Sequence, residues 1–283
     1  MAHKKHIKKR RRSPIRFLFL LILLIAVLIG IVVFMLHSKL GKVQTKALDQ
    51  SQLVTVNNDN NMKDYTNYAF FGIDSQTGSM SDRGNRSDSI IVVSINNSTK
   101  EVKLLSIYRD TFLSINGKYS KINAAYSWGG PELAISTIKS AGTYTLDGNQ
   151  AVAYSRIRYT AGGDLARAGR QREVLEKIFE KGKKNPLKMM SVMDEVLPQV
   201  KTNMSQDELF KMVLSVFKYN IKDQQGFPWN QKEMRYYGSY YGFPTTLKEN
   251  AIRAHKYLFG TKDYQVSDEL SKINQKIIYR AGY

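Results

Sequence analysis

The amino-acid sequence predicts an α/β (α+β) sandwich, in which helices flank a central mixed β-sheet and one N-terminal transmembrane helix precedes the domain. Three features predict it: an uncharged apolar stretch behind a basic N-terminus, short runs rich in β-branched and aromatic residues after residue 67, and segments with helical spacing after residue 130. Strands and helices are mixed without strict βαβ alternation, which is typical of this class.

The N-terminus predicts a membrane anchor. Residues 1–16 contain eight lysines and arginines and no acid, and residues 17–36 carry no charge. At about 1.5 Å per residue, this stretch spans roughly 30 Å, the thickness of the hydrocarbon core of a bilayer. A cleaved signal peptide is the alternative, but its apolar stretch is about 7–15 residues long and no convincing cleavage site follows Leu36. Because the cations precede the span, we expect a cytoplasmic basic tail and an extracytoplasmic domain.

Charge and cysteine content narrow the possible partners. The formal net charge is +19, and without the eight cations of residues 1–16 it is still +11. Such a charge attracts nucleic acid, anionic lipid or phosphorylated substrates. The predicted topology argues against nucleic acid as a partner. The absence of cysteine excludes disulfides, a thiolate metal site and a lipid on an N-terminal cysteine.

A polar segment of residues 37–66 predicts a stalk, and the domain covers residues 67–283. An apolar and aromatic run from Tyr68 predicts a buried strand that ends at Asp74. Two further apolar runs flank a polar turn at residues 96–100 and predict a β-hairpin.

Helices are predicted in the remainder of the domain. Pro131 begins a short one, because proline is favoured at the first helical position. Asp164 can cap a longer helix that runs to about Lys181. We predict two more helices, connected by tyrosine-rich loops, at residues 206–219 and 247–258.

The predicted hairpin brings charged side chains to one end of the sheet. Antiparallel pairing across the turn places residue 88 opposite about residue 108, so Asp88 and Arg109 emerge together. Asp74 joins them if its strand pairs antiparallel with the strand after Asp88, and Arg86 lies one side-chain alternation away. Two carboxylates beside arginines suit a divalent cation that bridges to phosphate oxygens. The alternative is that each aspartate is a turn or cap residue.

A second group of arginines lies further along the chain. Arg156 and Arg158 are two residues apart, and Arg167, Arg170 and Gln171 have the i, i+3, i+4 spacing of one helix face. Arginines that face protein need an anionic partner, because an unpaired buried charge is costly. A bound pyrophosphate would supply one. Arg156 and Arg158 alone would most often be a solvated basic patch.

The same helix face is predicted to continue into the core. Val174, Leu175 and Ile178 follow with helical spacing and form the predicted apolar stripe. Arg172 lies off this face by its spacing, so we expect it to be solvated and to tolerate replacement by lysine.

Several other sites are not supported by the sequence. No Gly-rich loop of the P-loop or Rossmann type is present, and the serines have no Gly-x-Ser-x-Gly elbow. The four histidines have no metal-ligand spacing. Trp128 and the many tyrosines could stack on sugars, although core packing is their more common role.

Six motifs lie in order between about residues 67 and 182. They are FFGID ending at Asp74, RSDSIIVVSI from Arg86, LLSIYRDT around Arg109, KINAAY with GGPELAI from Lys121, LDGNQAVAYSRIR ending at Arg158, and GGDLARAGRQ ending at Gln171. In this order the motifs resemble the LytR-CpsA-Psr family of Gram-positive cell-envelope proteins.

The resemblance implies a phosphotransferase. Such enzymes transfer a glycopolymer, either teichoic acid or capsular polysaccharide, from a polyprenyl-pyrophosphate carrier to peptidoglycan and form a phosphodiester. By analogy, Mg²⁺ or Mn²⁺ would bind Asp74 and Asp88. The pyrophosphate would be surrounded by arginines and a glutamine at positions 86, 109, 156, 158, 167, 170 and 171.

The sequence departs from the family pattern near residues 140–143. Several dozen residues that the family has between the PELAI helix and the Leu-Asp-Gly motif are missing, including walls of the lipid pocket. A non-catalytic envelope protein that binds lipid-linked polymer or partner proteins is therefore the alternative function. Tyr108 also stands where the family commonly has proline. A transcriptional regulator is disfavoured, since no helix-turn-helix is present and the domain would lie outside the cell.

Overall fold

The computed structural model describes residues 14–49, 60–74, 84–139 and 163–282. By its internal contacts the chain forms two compact units. The first comprises residues 1–46 and 187–214, and the second comprises residues 47–186 and 215–283.

The secondary structure follows the order of a mixed α and β chain. The strands are β1 (Gln44–Thr45), β2 (Tyr65–Asp74), β3 (Arg86–Asn96), β4 (Glu101–Ile107), β5 (Phe112–Ile115), β6 (Lys118–Lys121), β7 (Lys201–Thr202), β8 (Asn220–Phe227), β9 (Gln231–Tyr236) and β10 (Ser239–Pro244). The helices are α1 (Pro14–Leu40), α2 (Ala124–Lys139), α3 (Gly163–Lys184), α4 (Pro186–Val196), α5 (Gln206–Ser215), α6 (Leu247–Phe259) and α7 (Asp268–Ala281). Short 3₁₀ turns lie at Asn60–Asp64, Leu197–Gln199 and Val216–Lys218.

The first unit contains the apolar helix α1. Its segment Leu21–Leu40 has a mean hydropathy of 2.9 and is long and apolar enough to cross a membrane. At its C-terminal end, Leu36 and Leu40 are buried in a small apolar cluster with Val43 and with Leu209 of α5. Strand β1 then pairs in parallel with β7. The beginning of the predicted stalk is therefore packed against residues 190–213.

The second unit is built on a mixed sheet with the strand order β2-β3-β4-β8. Strands β2, β3 and β4 are antiparallel to one another, and β4 pairs in parallel with β8. Residues 90–92 of β3 are all buried, as expected for a strand covered on both faces. The mixed α+β class with a central mixed sheet is thus confirmed.

The predicted β3–β4 hairpin is also confirmed. The Asn96 side chain accepts hydrogen bonds from the backbone N–H groups of Ser98 and Thr99, each at 2.9 Å. This is a local Asx-type bond that stabilises a turn. Across the strands Ile91 pairs with Ser106, which fixes the register near the far end of the hairpin.

The C-terminal region contains strands where the sequence suggested tyrosine-rich loops. Strand β8 adds to the central sheet, and β9 and β10 form a separate hairpin. The prediction of loops was wrong because these strands lack apolar runs and are rich in Tyr, Gln and Lys. Tyrosine is itself a strong strand former, which was the available signal.

Helices α6 and α7 have strong local signals at both ends. Thr246 and Ser267 cap their N-termini by accepting backbone N–H groups, and Gly260 and Gly282 adopt left-handed conformations after their last turns. Their apolar faces, which include Leu258 and Ile277, join the core of the second unit. The predicted helix at residues 247–258 is confirmed.

Candidate functional site

A β-bulge positions Asp88 at the end of the central sheet. Gly72 of β2 pairs with Ser89, and the next residue, Ile73, pairs with Ser87. Asp88 is therefore the extra residue of β3 between these pairs. A bulge interrupts the ladder and redirects the side chain, and bulges are common beside functional sites.

Asp88 forms an ion pair with Arg109, which lies just beyond the end of β4. Arg109 Nη1 donates to Asp88 Oδ2 at 2.5 Å, and Asn123 Nδ2 donates to Asp88 Oδ1 at 3.3 Å. The side chains of Arg109 and Asp88 are 17% and 26% exposed. The predicted convergence of Asp88 and Arg109 is thus confirmed, and the pair is accessible from solvent.

The ion pair continues into a chain of alternating charges. Arg109 Nε donates to Asp110 Oδ2 at 3.2 Å, and Lys121 Nζ donates to Asp110 Oδ1 at 2.5 Å. Asp88, Arg109, Asp110 and Lys121 therefore form one connected network. Within such a network each charged group contacts a group of opposite charge, which lowers the free-energy cost of partly burying it.

Backbone hydrogen bonds hold this network in place. The N–H groups of Asn123 and Ile122 donate to the carbonyls of Arg109 and Thr111. The buried Thr111 donates through Oγ1 to the carbonyl of Tyr108 at 2.6 Å. The β5–β6 hairpin thus returns residues 121–123 to the end of β4, where their side chains meet Asp88 and Asp110.

Helix α3 brings the second predicted motif to the same strand end. Ser89 Oγ donates to Gln171 Oε1 at 2.9 Å, next to Asp88 in the chain. Arg167 is 5% exposed and lies one turn before Gln171, and Arg170 is partly buried. Residues that are 82 positions apart in sequence therefore meet at one end of the sheet.

The inward face of α3 differs by about one residue from the predicted one. Ala168 and Arg172 are buried, and Leu175 packs on the core, with i, i+4, i+7 spacing. Ile178, predicted to lie in the core, is 38% exposed. Arg172, predicted to be solvated, is 9% exposed. Both predictions were wrong because the short apolar stripe was taken to define the helix phase.

Arg172 of α3 is buried in the second unit near Tyr108, Tyr257 and Asp223. Its Nε and Nη1 atoms are buried without a hydrogen-bond partner in the described structure. Burial lowers the pKa of this guanidinium, while Tyr108, Tyr257 and Asp223 partly oppose that shift. Burial likewise raises the pKa of the Tyr108 hydroxyl. Arg172 therefore has a structural setting unlike that of Arg109.

Tyr108, which replaces the proline common in the family pattern, depends on a glycine in β8. A Cβ atom on Gly226 would lie 2.0 Å from Tyr108 Oη and 2.6 Å from its Cζ. The backbone N–H of Tyr108 also donates to Phe227 at 2.9 Å, a bond that proline could not form. Tyr108 is therefore accommodated because Gly226, which lies against its ring, has no side chain.

The remaining predicted site residues have less defined positions. Arg86 is exposed at the first position of β3, and the backbone of Asp74 pairs with it. The antiparallel pairing that would bring Asp74 to this end of the sheet is therefore confirmed. Arg156 and Arg158 lie outside the described residues, so their placement beside α3 stays a prediction.

The described carboxylates are compatible with Mg²⁺ but do not form a dense metal site. Within residues 14–49, 60–74, 84–139 and 163–282, no group of three or more His, Cys, Asp or Glu could hold a metal ion. Mg²⁺ commonly binds one or two carboxylates together with water and substrate phosphate. The partly exposed Asp88 is a carboxylate of this kind, and the side chain of Asp74 lies outside the described part of the structure.

Four residues at the site were not assigned a role from sequence. They are Ser89, Asp110, Lys121 and Asn123. Asp110 was adjacent to a predicted site residue, and Lys121 and Asn123 belong to one of the quoted motifs. Their contacts depend on the return of the β5–β6 hairpin, which no sequence pattern indicated.

The chain is similar to several known proteins that share one name. The polyisoprenyl-teichoic acid–peptidoglycan teichoic acid transferase TagU of Enterococcus faecalis is 29% identical over 202 positions, covering 54% of this chain and 66% of that protein. Its counterpart in Oceanobacillus iheyensis is 27% identical over 268 positions, covering 74% of this chain and 82% of that protein. The chain thus spans just under two thirds of the Enterococcus relative.

These alignments also contain gaps on the side of this chain. In the Enterococcus alignment, 54% of 283 residues is about 153, so about 50 of the 202 positions have no residue here. The sequence model of the LytR_cpsA_psr family matches two stretches, residues 31–141 and 140–256, which meet at residues 140–141.

A solved structure has the same fold. The structure described as TagT bound to LI-WTA superimposes with a TM-score of 0.52 at 21% identity, covering 84% of this chain and 100% of that one. The two stretches matched by the family profile include most of the chain and both halves of the described site. This chain belongs to the LytR_cpsA_psr family.

Proposed function

We propose that this protein transfers a glycopolymer from a polyprenyl-pyrophosphate carrier to peptidoglycan and forms a phosphodiester bond. The observation that carries the proposal is the meeting of the Asp88–Arg109 pair with Gln171 of α3 through Ser89. Teichoic acid is the first candidate polymer, because both relatives are named teichoic acid transferases and the TagT structure contains LI-WTA. Capsular polysaccharide is the other candidate.

The geometry suits binding of a pyrophosphate. Arg109 points Nη1 and Nε at two different carboxylates, so its planar fork is already held in one orientation. A phosphate that approaches Asp88 would meet this guanidinium and the arginines of α3. Fixed cations of this kind stabilise the charge that develops during phosphoryl transfer.

A divalent cation would complete the site. Mg²⁺ or Mn²⁺ bound by Asp88 and Asp74 would offset the negative charge of the pyrophosphate. Asp88 would then share its carboxylate between the cation and Arg109. Asn123 would keep the Asp88 side chain oriented through its hydrogen bond. The roles of Arg86, Arg156, Arg158, Arg167 and Arg170 as phosphate ligands are part of the same proposal.

The anchor fits a lipid-borne substrate. Helix α1 could cross the membrane, and the basic residues before it favour a cytoplasmic N-terminus. The domain would then face the cell wall, close to a carrier lipid in the same membrane. Protease added to intact protoplasts should remove the domain and leave the basic tail protected; protection of the whole chain would contradict this orientation.

A non-catalytic role is the second candidate function, and the internal shortening favours it. About 50 positions of the Enterococcus relative have no counterpart here, and the two family matches meet at residues 140–141. We call the site around Asp88, Arg109 and Gln171 the strand-end site. A protein that lacks this segment could still bind lipid-linked polymer at the strand-end site without transferring it.

One experiment separates these candidates. The full-length protein in proteoliposomes would receive a labelled lipid-linked teichoic acid, Mg²⁺ and insoluble peptidoglycan. Transfer predicts label that remains on peptidoglycan after detergent washing and is released by phosphodiester cleavage. Binding of a short-chain polyprenyl-pyrophosphate analogue would be measured in parallel. Binding without transfer supports the non-catalytic role, and absence of both rejects both functions.

The matched pair of variants is Asp88→Asn and Asp263→Asn. Each removes one negative charge, but Asp263 is exposed on the loop between α6 and α7. We expect the first variant to abolish the Mg²⁺-dependent signal and the second to keep it. Equal activity of both variants would remove Asp88 from the proposed site.

A further inference from the structure

An unusual tyrosine occupies the tip of the β9–β10 hairpin. Tyr236 pairs with Ser239, so Tyr237 and Gly238 form a two-residue turn. Both have positive φ, at 46° and 76°, as in a type I′ turn. That turn prefers Asn-Gly, and a bulky residue in the left-handed region is strained. Tyr237 is nevertheless 89% exposed, so burial does not explain its presence.

The two faces of the hairpin have different surroundings. On the inner face, the rings of Tyr236, Tyr241 and Phe243 contact Phe112 at centroid distances of 4.3–5.5 Å. Core packing therefore explains the inner aromatic residues. On the outer face Tyr240 is 58% exposed and needs another explanation.

A cation accompanies the exposed rings. Arg235 pairs across the hairpin with Tyr240, and its guanidinium carbon lies 5.6 Å from the centre of that ring. Tyr237 lies beside Tyr236, with ring centroids 4.5 Å apart at an interplanar angle of 69°. We call Arg235, Tyr237 and Tyr240 the tip patch. It combines flat apolar faces with a positive charge.

The tip patch lies along the strands from the strand-end site. The backbone N–H of Gly242 donates to the carbonyl of Asp110 at 2.9 Å, so the part of β10 around Gly242 lies beside the charge network. Four residues lie between Gly242 and Tyr237: the steps from Gly242 to Ser239 are about 10 Å of strand, and the two-residue turn follows. Lys121, which binds Asp110, also lies 5.1 Å from the centre of the Tyr241 ring.

We infer that the tip patch binds the sugar-phosphate chain of the glycopolymer, several units away from its pyrophosphate end. This inference rests on the proposed function and names a second contact for the same substrate. Sugar rings can lie on exposed tyrosines, and a phosphodiester complements Arg235. About 10 Å of strand plus the turn requires a substrate longer than one sugar, because a single sugar at the strand-end site would not reach the tip.

The strained turn provides the sharpest test. Tyr237→Asn introduces the residue that a type I′ turn prefers, so the hairpin should remain folded with an unchanged or higher melting temperature. Binding of a lipid-free glycosylated teichoic acid to the full-length protein in detergent should weaken about two- to fivefold, as for loss of one exposed ring contact. Tyr240→Ser and Arg235→Gln should each have an effect of similar size.

The controls separate the patch from general charge and from the strand-end site. Phe217→Ser removes an aromatic ring of similar exposure, 55%, outside the hairpin and should leave polymer affinity unchanged. A neutral dextran of equal length should bind more weakly than the teichoic acid. Binding of the polyprenyl-pyrophosphate analogue should be the same in all these variants.

Three results would overturn the inference. The first is polymer affinity that Tyr237→Asn and Tyr240→Ser leave at the wild-type value. The second is equal loss in Phe217→Ser. The third is a wild-type protein that binds the pyrophosphate analogue but not the lipid-free polymer, which would leave the proposed function standing. Failure to bind the pyrophosphate analogue, with polymer binding retained, would instead reject the proposed function alone.

Discussion

Arg109 and Arg172 are two arginines of the second unit that are largely removed from water in different ways. Arg109 lies at the end of β4, 17% exposed, with a carboxylate on each side. Arg172 lies on α3, 9% exposed, and two of its nitrogen atoms have no hydrogen-bond partner in the described structure. The charge of Arg109 is matched by these carboxylates, and the proposed function requires Arg109 to exchange one of them for a phosphate. The charge of Arg172 is held by packing and by tyrosines, so we expect it to position α3.

The largest effect should come from Arg109→Lys. One ammonium group cannot reproduce the separate contacts that Nη1 and Nε make with Asp88 and Asp110. Loss of one preorganised donor to a charge that develops in the transition state costs about 100- to 1,000-fold in rate. We expect a decrease of that size in glycopolymer transfer, measured with the lipid-linked donor.

Arg253→Lys is the matched control for this change. Arg253 stacks on Trp229, with its guanidinium carbon 4.8 Å from the ring centre, away from the charge network. Its replacement should leave transfer within about twofold of wild type, as expected for an exposed cation–π contact of about 0.5 kcal/mol. A decrease in Arg253→Lys as large as in Arg109→Lys would mean that the loss reflects general basicity.

Arg172 should affect stability more than chemistry. Arg172→Ala removes a large buried side chain beside Tyr108 and should lower the free energy of unfolding by about 3 kcal/mol. Arg172→Met keeps most of the volume without the buried charge and should cost less than about 1 kcal/mol, because such replacements are often neutral. Tryptophan fluorescence during thermal unfolding in detergent would measure both. If methionine were as damaging as alanine, a specific charge contact would be essential and the comparison would fail.

The two arginines also show what the sequence could and could not predict. Asp88 and Arg109 could be placed together because a single turn fixes the register of a hairpin, and register determines which strand ends meet. The bulge at Asp88 could not be predicted, since it depends on pairing with Gly72 of another strand. The class of fold and the main helices followed from apolar periodicity and capping residues.

Helix phase was less well determined than strand register. Three apolar residues are compatible with more than one rotation of α3 about its axis. In the structure, Ala168, Arg172 and Leu175 face the interior. Arg172 was assigned to solvent because its spacing from Val174, Leu175 and Ile178 placed it off the predicted inward face. Its burial depends on neighbours that are distant in sequence, such as Tyr108, which follows β4, and Tyr257 on α6. The side-chain geometry around Arg156 and Arg158 stays a prediction.

A smaller effect should follow from the fit between Tyr108 and Gly226. Gly226→Ala places a Cβ atom 2.0 Å from Tyr108 Oη, so the ring must move. Overpacking of this kind costs about 1–3 kcal/mol, and we expect about 2 kcal/mol here. In a Tyr108→Ala background the same glycine substitution should cost much less. Additive losses in thermal unfolding would show that the two residues do not compete for this space.

The smallest effect is expected for an exposed cluster of one carboxylate and two lysines. In the first unit, Asp194 of α4 accepts hydrogen bonds from Lys39 and Lys42 at the end of the apolar helix. These bonds, Lys39 first, lower the pKa of the Asp194 carboxyl below its ordinary value of 3.8. A carboxyl with a lowered pKa stabilises the folded state above its ordinary pKa, and this contribution is lost as the pH falls through the lower folded value.

We therefore expect Asp194→Asn to loosen residues 41–45 slightly at pH about 6, seen as faster amide hydrogen exchange than in wild type. The two proteins should converge at a pH below the ordinary carboxyl value of 3.8, as the wild-type carboxyl becomes protonated. High salt should reduce the difference, because exposed ion pairs are screened. Glu195→Gln removes the neighbouring exposed charge on α4 and is the control. If it loosened residues 41–45 as much, net charge on α4 would be responsible and not the contact of Asp194 with the two lysines.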